Sequence, residues 1–261
     1  MSSGDSTATY IELAHRVADL SSKILMRYFR TGLRVETKCD DTPVTRADFE
    51  AEEIMRNEIR KAFPDHGVIG EELGSENEDA EFVWVLDPLD GTKSFINGVP
   101  LFGTLIGVLK QDVPWLGVIN HPALNERWLG VAGQSTRLNG GKCSTRKCPV
   151  LNNATLYTTD TQYFSPKNKK AFEQLTKTVG YFRTGGTDCY GYALVASGWT
   201  DLVCEEVLGM HDFVALVPVV QGAGGVMSDW DGNQLTRSSD GRLLASGDPD
   251  MHREALAVLS K

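Results

Sequence analysis

A chain of 261 residues, 41% of them hydrophobic and 23% charged, is long enough to bury a substantial core and has a globular composition. Its formal net charge of −9 argues against a nucleic-acid-binding surface. No apolar run approaches the ~20 residues that span a bilayer. Residues 1–9 lack a signal-peptide core, and the five cysteines are scattered. We therefore expect reduced thiols in the cytoplasm, or in an organelle if a transit peptide has been removed.

Hydrophobic periodicity predicts two helices followed by an antiparallel sheet in the first half of the chain. Apolar residues recur at helical spacing from Ile11 to Phe29 and from Asp48 to Phe63, where Pro64 ends the second helix. Three later apolar runs predict strands at residues 103–109, 115–120 and 128–132. The first two are expected to form an antiparallel hairpin.

Strands and helices alternate in the second half, after a loop-like stretch at residues 149–153. The predicted strands are Leu156–Thr159, Tyr181–Thr184, Leu202–Cys204 and one near Val226, and the predicted helices are Pro166–Thr178, Asp188–Ala196, Asp212–Gln221 and Pro249–Leu259. Such alternation is typical of a mixed α/β fold. We predict an N-terminal α+β lobe, residues 1–150, with paired helices and an antiparallel sheet, and a C-terminal mixed α/β lobe, residues 151–261.

The most informative segment is residues 82–95, where an apolar run rich in β-forming residues leads into Asp87 and Asp90. The run predicts a buried strand, so Asp87 is expected where that strand leaves the core. Two neighbouring carboxylates raise each other's pKa, and an oxygen-binding cation such as Mg²⁺ removes that conflict. Gly91 allows close approach of a ligand, and Thr92 can direct N–H groups toward an anion. In isolation, the segment also fits a solvated Asx-type turn.

Carboxylates from two other segments favour the metal-binding interpretation. Glu71 follows a short apolar run, and Asp212 opens an apolar helical segment that runs to Val220. Three separate segments thus each place a carboxylate at the edge of an apolar element, as a shared metal site requires. Asp48 lies in the first turn of a predicted helix, and its position fits a role in complementing the helix dipole as well as a catalytic role.

These motifs resemble those of the inositol monophosphatase superfamily of Mg²⁺-dependent, lithium-sensitive phosphatases. The similar segments are Gly70-Glu71-Glu72, residues 87–92 with Phe95, and Asp212 before a helix that ends at residues 222–225. They occur in the family's order and spacing, and the likeness covers nearly the whole chain. The resemblance implies a layered αβαβα sandwich, a small phosphorylated metabolite as substrate, and a homodimer.

The resemblance also implies a set of Mg²⁺ ligands. Glu71 and Asp87, with the Leu89 carbonyl, would hold one ion, and Asp87, Asp90 and Asp212 would hold a second. Glu71 would help to bind a third, weaker ion through waters. In two-metal sites the ions stabilise both the attacking and the leaving oxygen of an in-line displacement.

The remaining site residues implied by the resemblance bind phosphate, water and leaving group. The N–H groups of Gly91 and Thr92 would bind the phosphate, and Thr92 with Asp48 would position the attacking water. The leaving-group pocket would be lined by Ser94, Gly186, Thr187, Asp188 and Glu205. As alternatives, Asp188 fits a cap of the following helix, and Glu205 fits a surface charge at a strand end.

Within the superfamily, residues 91–96 and 100–105 are most similar to the histidinol-phosphate phosphatase branch. Asp188 and Glu205 would then contact the amine and imidazole of histidinol. Residues 208–211, in contrast, are closer to the inositol branch. The expected reaction is therefore hydrolysis of L-histidinol phosphate, with inositol monophosphate as the alternative substrate. A 3′-phosphoadenosine phosphatase and a catalytically silent binding protein are less favoured, the latter because the carboxylate set is complete.

Overall fold

The structure is a computed structural model that describes residues 6–37 and 43–260. In it, two large β-sheets alternate with three helical layers. The helices are α1 (Thr7–Tyr28), α2 (Arg46–Ala62), α3 (Thr92–Ile96), α4 (Pro166–Thr178), α5 (Cys189–Ala196), α6 (Met210–Phe213), α7 (Leu216–Gly222) and α8 (Pro249–Leu259). Short 3₁₀ helices occur at Leu151–Asn153 and Thr161–Tyr163. The predictions for α4 and α8 are confirmed residue for residue, because Ser165 and Asp248 cap helices that open with proline.

Strands β1 (Val35–Thr37) and β2 (Pro43–Thr45) form a small antiparallel pair. An eight-stranded sheet follows in the order β10-β9-β8-β7-β6-β5-β3-β4. Its strands are β3 (Gly67–Gly70), β4 (Gly74–Glu76), β5 (Phe82–Asp90), β6 (Gly103–Lys110), β7 (Val113–His121), β8 (Glu126–Val131), β9 (Arg137–Leu138) and β10 (Gly141–Lys142). All its pairings are antiparallel except β3 with β5, and the predicted β6–β7 hairpin is confirmed.

A mixed five-stranded sheet lies in the second half, in the order β12-β11-β13-β15-β14. Its strands are β11 (Thr155–Thr158), β12 (Tyr181–Thr184), β13 (Leu202–Glu205), β14 (Val226–Asp229) and β15 (Leu243–Ser246). Strand β11 pairs in parallel with β12 and β13, and β15 pairs antiparallel with β13 and β14. The sequence analysis missed β15, although it lies inside this sheet.

Three of the four hydrophobic clusters of the described residues hold the layers together. Helices α1 and α2 pack on one face of the eight-stranded sheet around Tyr10, Ile59 and Trp84. Helices α5 and α7 lie between the two sheets, and α4 and α8 cover the far face of the second sheet. This order confirms the predicted αβαβα sandwich. The central cluster includes residues from both halves of the chain, and the division at residue 150 stays a prediction.

Two local predictions were wrong. The helix predicted for Asp212–Gln221 is divided into α6 and α7, with Asp212 as the third residue of α6. Pro218 has no N–H for a continuous helix, and the break places it in the first turn of α7. Asp87 does not mark the exit of its strand, because β5 continues to Asp90 through an irregular register and Asp87 is buried.

The described cysteines, Cys143, Cys148, Cys189 and Cys204, are free thiols, whereas Cys39 lies outside the described residues. Within the described part of the chain, no helix combines the length and apolar character needed to cross a bilayer.

Candidate active site

Three aspartates converge between the two sheets. Asp87 and Asp90 lie near the end of β5, where its pairing with β6 shifts register, and Asp212 lies in α6, which contacts β5. Carboxylate oxygens of all three lie within 4.8 Å of one another. The structure therefore brings Asp212 to Asp87 and Asp90, from which it is more than a hundred residues away in sequence.

Glu71 reaches the same region through the parallel pairing of β3 with β5. Gly70 pairs with Leu86, and the Glu71 N–H donates to the Leu86 carbonyl at 3.1 Å. Glu71 lies outside the tight group of three aspartates. It is nevertheless close enough for its negative charge to raise the pKa of Asp87, second only to burial as a cause.

A buried ion pair under the β3–β4 turn holds the segment that carries Glu71. Glu52 accepts hydrogen bonds from the N–H groups of Glu72 (2.8 Å) and Leu73 (3.1 Å) and from Arg56 Nε (2.7 Å). Sequence reasoning missed both Glu52 and Arg56. The available signal was a pair of charged residues on the inward face of α2, where only apolar side chains are expected.

The electrostatics of the aspartate group favour a bound cation. Burial raises the pKa of Asp87 well above its usual range, and the charges of Glu71, Asp90 and Asp212 add to this. Burial and Asp212 raise the pKa of Asp90 to about 6. Among the described residues, His211 Nε2 lies 3.6 Å from Asp212 Oδ1, and neither Asp87 nor Asp90 has a Lys or Arg partner. A partly buried set of oxygen donors with unbalanced negative charge fits Mg²⁺.

Gly91 and Thr92 form the turn next to this group. Gly91 has φ +80°, and a Cβ there would lie 2.9 Å from Asp188 Oδ2 and 3.1 Å from the Leu101 carbonyl oxygen. Glycine is therefore required by both conformation and space. Thr92 Oγ1 donates to the Leu89 carbonyl at 3.0 Å, which leaves that carbonyl a second lone pair for another partner.

Asp48 is buried at the start of α2 and completes a capping box. Its Oδ2 accepts from the Thr45 N–H (2.9 Å) and from Thr45 Oγ1 (2.7 Å). Burial raises the pKa of Asp48 to about 6, against the lowering effect of the Thr45 hydrogen bonds. The predicted pairing of Asp48 with Thr92 stays a prediction, because the hydrogen bonds of the described residues join Asp48 to Thr45 and Thr92 to Leu89.

Two more carboxyl groups, the half-buried Asp188 and the buried Glu205, line a cavity of about 820 Å³. Asp188 accepts from Ser94 Oγ at 3.3 Å, and Glu205 accepts from Thr158 Oγ1 at 3.0 Å and the Thr159 N–H at 2.7 Å. Burial is the largest cause that raises the pKa of each to about 8. Glu205 is 2% exposed, so the surface-charge alternative is wrong.

The backbone of Asp188 is strained, with φ +45° and ψ −137°. Although Asp188 precedes α5, its side chain makes no capping hydrogen bond, so the helix-cap alternative is also wrong. The Cys189 N–H instead donates to Asp90 Oδ2 at 2.7 Å, a link between α5 and the aspartate group that sequence reasoning missed. Strain of this kind is concentrated at functional sites, because the surrounding structure has to enforce it.

Most of the predicted site residues line one cavity. They are Glu71, Asp90, Gly91, Thr92, Ser94, Gly186, Asp188, Glu205 and Asp212. Thr187 lies beside the cavity with its buried Oγ1 unpaired, and the Gly186 carbonyl accepts from Ser94 Oγ at 3.4 Å. Asp48, Asp87 and Leu89 lie behind the lining and are buried.

Comparison with known proteins identifies relatives over nearly the full chain. The inositol monophosphatase family model matches residues 6–261. The bifunctional phosphatase IMPL2, chloroplastic, of Arabidopsis thaliana is 44% identical over 259 residues, covering 96% of this chain and 75% of that protein. The histidinol-phosphatase of Chlorobaculum parvum is 37% identical over 251 residues, covering 95% and 96% of the two chains.

The fold comparison agrees. An inositol monophosphatase structure from Zymomonas mobilis matches with a TM-score of 0.90 and 40% identity, and the match covers 98% of this chain and 100% of that one. The resemblance inferred from the aspartate and glycine-threonine motifs is thereby confirmed. Because the family match extends from residue 6 to residue 261, the chain belongs to the inositol monophosphatase family.

Proposed function

We propose that this phosphatase hydrolyses L-histidinol phosphate in a Mg²⁺-dependent reaction. The observation that carries the proposal is a pair of carboxyl groups, the half-buried Asp188 and the buried Glu205, on the same cavity as Asp90 and Thr92. Histidinol carries an ammonium group and an imidazole, both of which can donate hydrogen bonds to carboxylates. Inositol offers only hydroxyl groups, which compensate less of this negative charge.

The raised pKa values of Asp188 and Glu205 also favour a cationic substrate. Each is about 8 without a ligand, so a bound cation that favours the ionised form would lower it. A cationic leaving group therefore gains a charge-assisted hydrogen bond in this cavity. The C. parvum relative, whose name is histidinol-phosphatase, supports the same substrate.

We assign the Mg²⁺ ligands as Glu71, Asp87, Asp90, Asp212 and the Leu89 carbonyl, for two ions and a weaker third. When bound, Mg²⁺ supplies Lewis-acid stabilisation of the phosphate oxygens and lowers the pKa of a bound water. The role of the protein is to hold these ligands around the end of β5 and α6, with Asp87 and Leu89 buried and Glu71, Asp90 and Asp212 lining the cavity.

The remaining roles belong to the turn after β5 and to α2. The N–H groups of Gly91 and Thr92 hold the phosphate, while Thr92 and Asp48 orient the attacking water. The water oxygen bonds to phosphorus as the bond to the leaving oxygen breaks, which yields inorganic phosphate and histidinol. Asp188 and Glu205 keep the leaving group aligned during this displacement.

Inositol monophosphate is the second candidate substrate, on the evidence of the segment before Asp212. Residues 208–211 resemble the inositol branch, and the Gly209 N–H donates to Asp212 Oδ2 at 2.6 Å. This contact fixes a proposed metal ligand. Leu208, Gly209 and His211 also line the cavity, but none of them supplies a carboxylate for a cationic leaving group.

A phosphate-release assay tests the proposal. The purified protein is given histidinol phosphate, inositol 1-phosphate and 3′-phosphoadenosine 5′-phosphate with Mg²⁺, and EDTA serves as the control for metal dependence. We expect kcat/KM to be highest for histidinol phosphate and to fall by about tenfold or more in Glu205→Gln, the loss of one charge-assisted hydrogen bond. A higher kcat/KM for inositol 1-phosphate would contradict the substrate assignment and leave the phosphatase chemistry intact.

We also propose that the protein is a homodimer, as the family resemblance implies. Light scattering after size-exclusion chromatography tests this, since a dimer of a 28.6 kDa chain is well separated in mass from the monomer.

A further inference from the structure

Tyr192 presents an unused hydrogen-bond donor at the leaving-group end of the cavity. Its side chain lies on α5, is 2% exposed and lines the same cavity as Asp188 and Glu205. Of the buried side-chain oxygen and nitrogen atoms of the described residues, only three have no hydrogen-bond partner: Thr187 Oγ1, His252 Nδ1 and the Tyr192 hydroxyl. A buried hydroxyl without a partner is destabilising, so its presence beside a cavity points to a ligand that satisfies it.

The surroundings of this hydroxyl keep it protonated. Burial raises the pKa of the Tyr192 hydroxyl well above its usual range, and the negative charge of Glu205 is the second largest cause of this rise. Tyr192 is therefore a permanent O–H donor in a cavity that Glu205 and Asp188 also line. Carboxylates such as Glu205 and Asp188 can only accept when ionised.

We propose that the Tyr192 hydroxyl donates a hydrogen bond to the acceptor nitrogen of the substrate's imidazole, while Glu205 accepts from the ring N–H. This inference rests on the proposed function. A neutral imidazole carries one donor and one acceptor nitrogen, so one carboxylate and one hydroxyl satisfy both. A pocket that contained carboxylates alone would leave the second ring nitrogen unpaired.

This role differs from simple core packing. A phenylalanine at position 192 would fill the same space between the sheets without an unpaired hydroxyl. The neighbouring Tyr190, on the same helix, has its hydroxyl bound to Glu126 at 3.0 Å and does not line the cavity. Tyr190→Phe is therefore a matched control, in which a tyrosine hydroxyl is lost from α5 but not from the site.

The test compares Tyr192→Phe, Tyr190→Phe and the unmodified enzyme, each with Mg²⁺. Kinetics are measured with histidinol phosphate and with p-nitrophenyl phosphate, whose leaving group lacks an imidazole. We expect the ratio of the two kcat/KM values to fall by about tenfold in Tyr192→Phe, mainly through a higher KM for histidinol phosphate. The ratio is expected to stay unchanged in Tyr190→Phe. Melting temperature provides a second measurement, and Tyr192→Phe should be at least as stable as the unmodified protein, because no hydrogen bond is lost.

Each outcome decides the inference. If the unmodified enzyme prefers histidinol phosphate and Tyr192→Phe keeps that preference, the role of Tyr192 is refuted while the proposed function stands. An equal loss on both substrates, with a lower melting temperature, would also refute it, because it would show a structural role. If the unmodified enzyme does not prefer histidinol phosphate, the proposed function fails, and the imidazole contact fails with it.

Discussion

Replacing Asp90 with asparagine is expected to abolish activity and, at the same time, to stabilise the metal-free protein. Asparagine keeps an oxygen that can accept the Cys189 N–H, which now donates to Asp90 Oδ2 at 2.7 Å. It removes the negative charge that lies within 4.8 Å of Asp87 and Asp212. The substitution therefore preserves the local hydrogen bond and removes the charge repulsion.

The magnitude follows from the pKa of Asp90, which burial and Asp212 raise from 3.8 to about 6. The folded protein thus holds this proton more tightly than the unfolded chain does. The resulting penalty is absent below pH 3.8, grows up to the folded pKa and is complete above it. At about 1.4 kcal/mol per pH unit, Asp90→Asn is expected to gain at most ~3 kcal/mol at pH 8 and little at pH 4.

Differential scanning calorimetry in EDTA measures this gain. For a chain of this size, ~3 kcal/mol corresponds to a rise of about 6–12 °C in Tm at pH 8. Adding Mg²⁺ should raise the Tm of the unmodified protein more than that of Asp90→Asn, which keeps the proposed ligands of one ion, Glu71, Asp87 and the Leu89 carbonyl, but loses a ligand of the other. Turnover with Mg²⁺ should fall by about 100-fold or more, because a proposed metal ligand is lost.

Asp79→Asn is the matched control, since Asp79 is exposed and lies away from the cavity. Its Tm, Mg²⁺ response and activity should equal those of the unmodified protein. Near-normal turnover of Asp90→Asn would refute the metal assignment. A metal-free Tm at pH 8 below that of the unmodified protein would refute the electrostatic reasoning.

Three other outcomes are expected. In a thermal-shift assay, Mg²⁺ should raise the Tm of the unmodified protein more at pH 8 than at pH 5. At the lower pH, protons compete with Mg²⁺ for the carboxylates whose pKa is raised, and an equal rise at both pH values would contradict this. Gly91→Ala should lower kcat by about tenfold or more in the phosphate-release assay, because its Cβ would contact Asp188 and the Leu101 carbonyl at a φ of +80°. Gly70→Ala should cost about 1–3 kcal/mol in urea unfolding, since its Cβ would lie 1.9 Å from Glu52 Oε1; an unchanged midpoint would show that Glu52 moves freely.

Much of the secondary structure could be predicted because its signals are local. The α4 and α8 boundaries follow from a capping residue, a proline and an apolar stripe within one short segment. The hairpin of β6 and β7 follows from two apolar runs and the turn between them. The central segment around Asp87 and Asp90 could be recognised because its aspartates, glycine and threonine are adjacent in the chain.

Features that depend on distant segments could not be predicted in this way. The burial of Glu52 and Arg56 depends on the β3–β4 turn that lies over them, and nothing within α2 indicates that turn. Likewise, the unpaired Tyr192 hydroxyl becomes visible only when β13 places Glu205 across the cavity. Strand β15 was missed because it is short. Its four residues can be recognised as a strand only from their pairing with β13 and β14.

The sequence by itself determined most of the longer helices and strands, because backbone hydrogen bonding and side-chain periodicity act over a few residues. Only the tertiary structure decided that β3 runs parallel to β5, so that Glu71 meets Asp87, and that α6 packs beside β5, so that Asp212 joins them. The physical reason is that neighbouring strands are chosen by burial of apolar faces from the whole chain. That long-range packing places like charges together, where burial raises their pKa values and favours a cation.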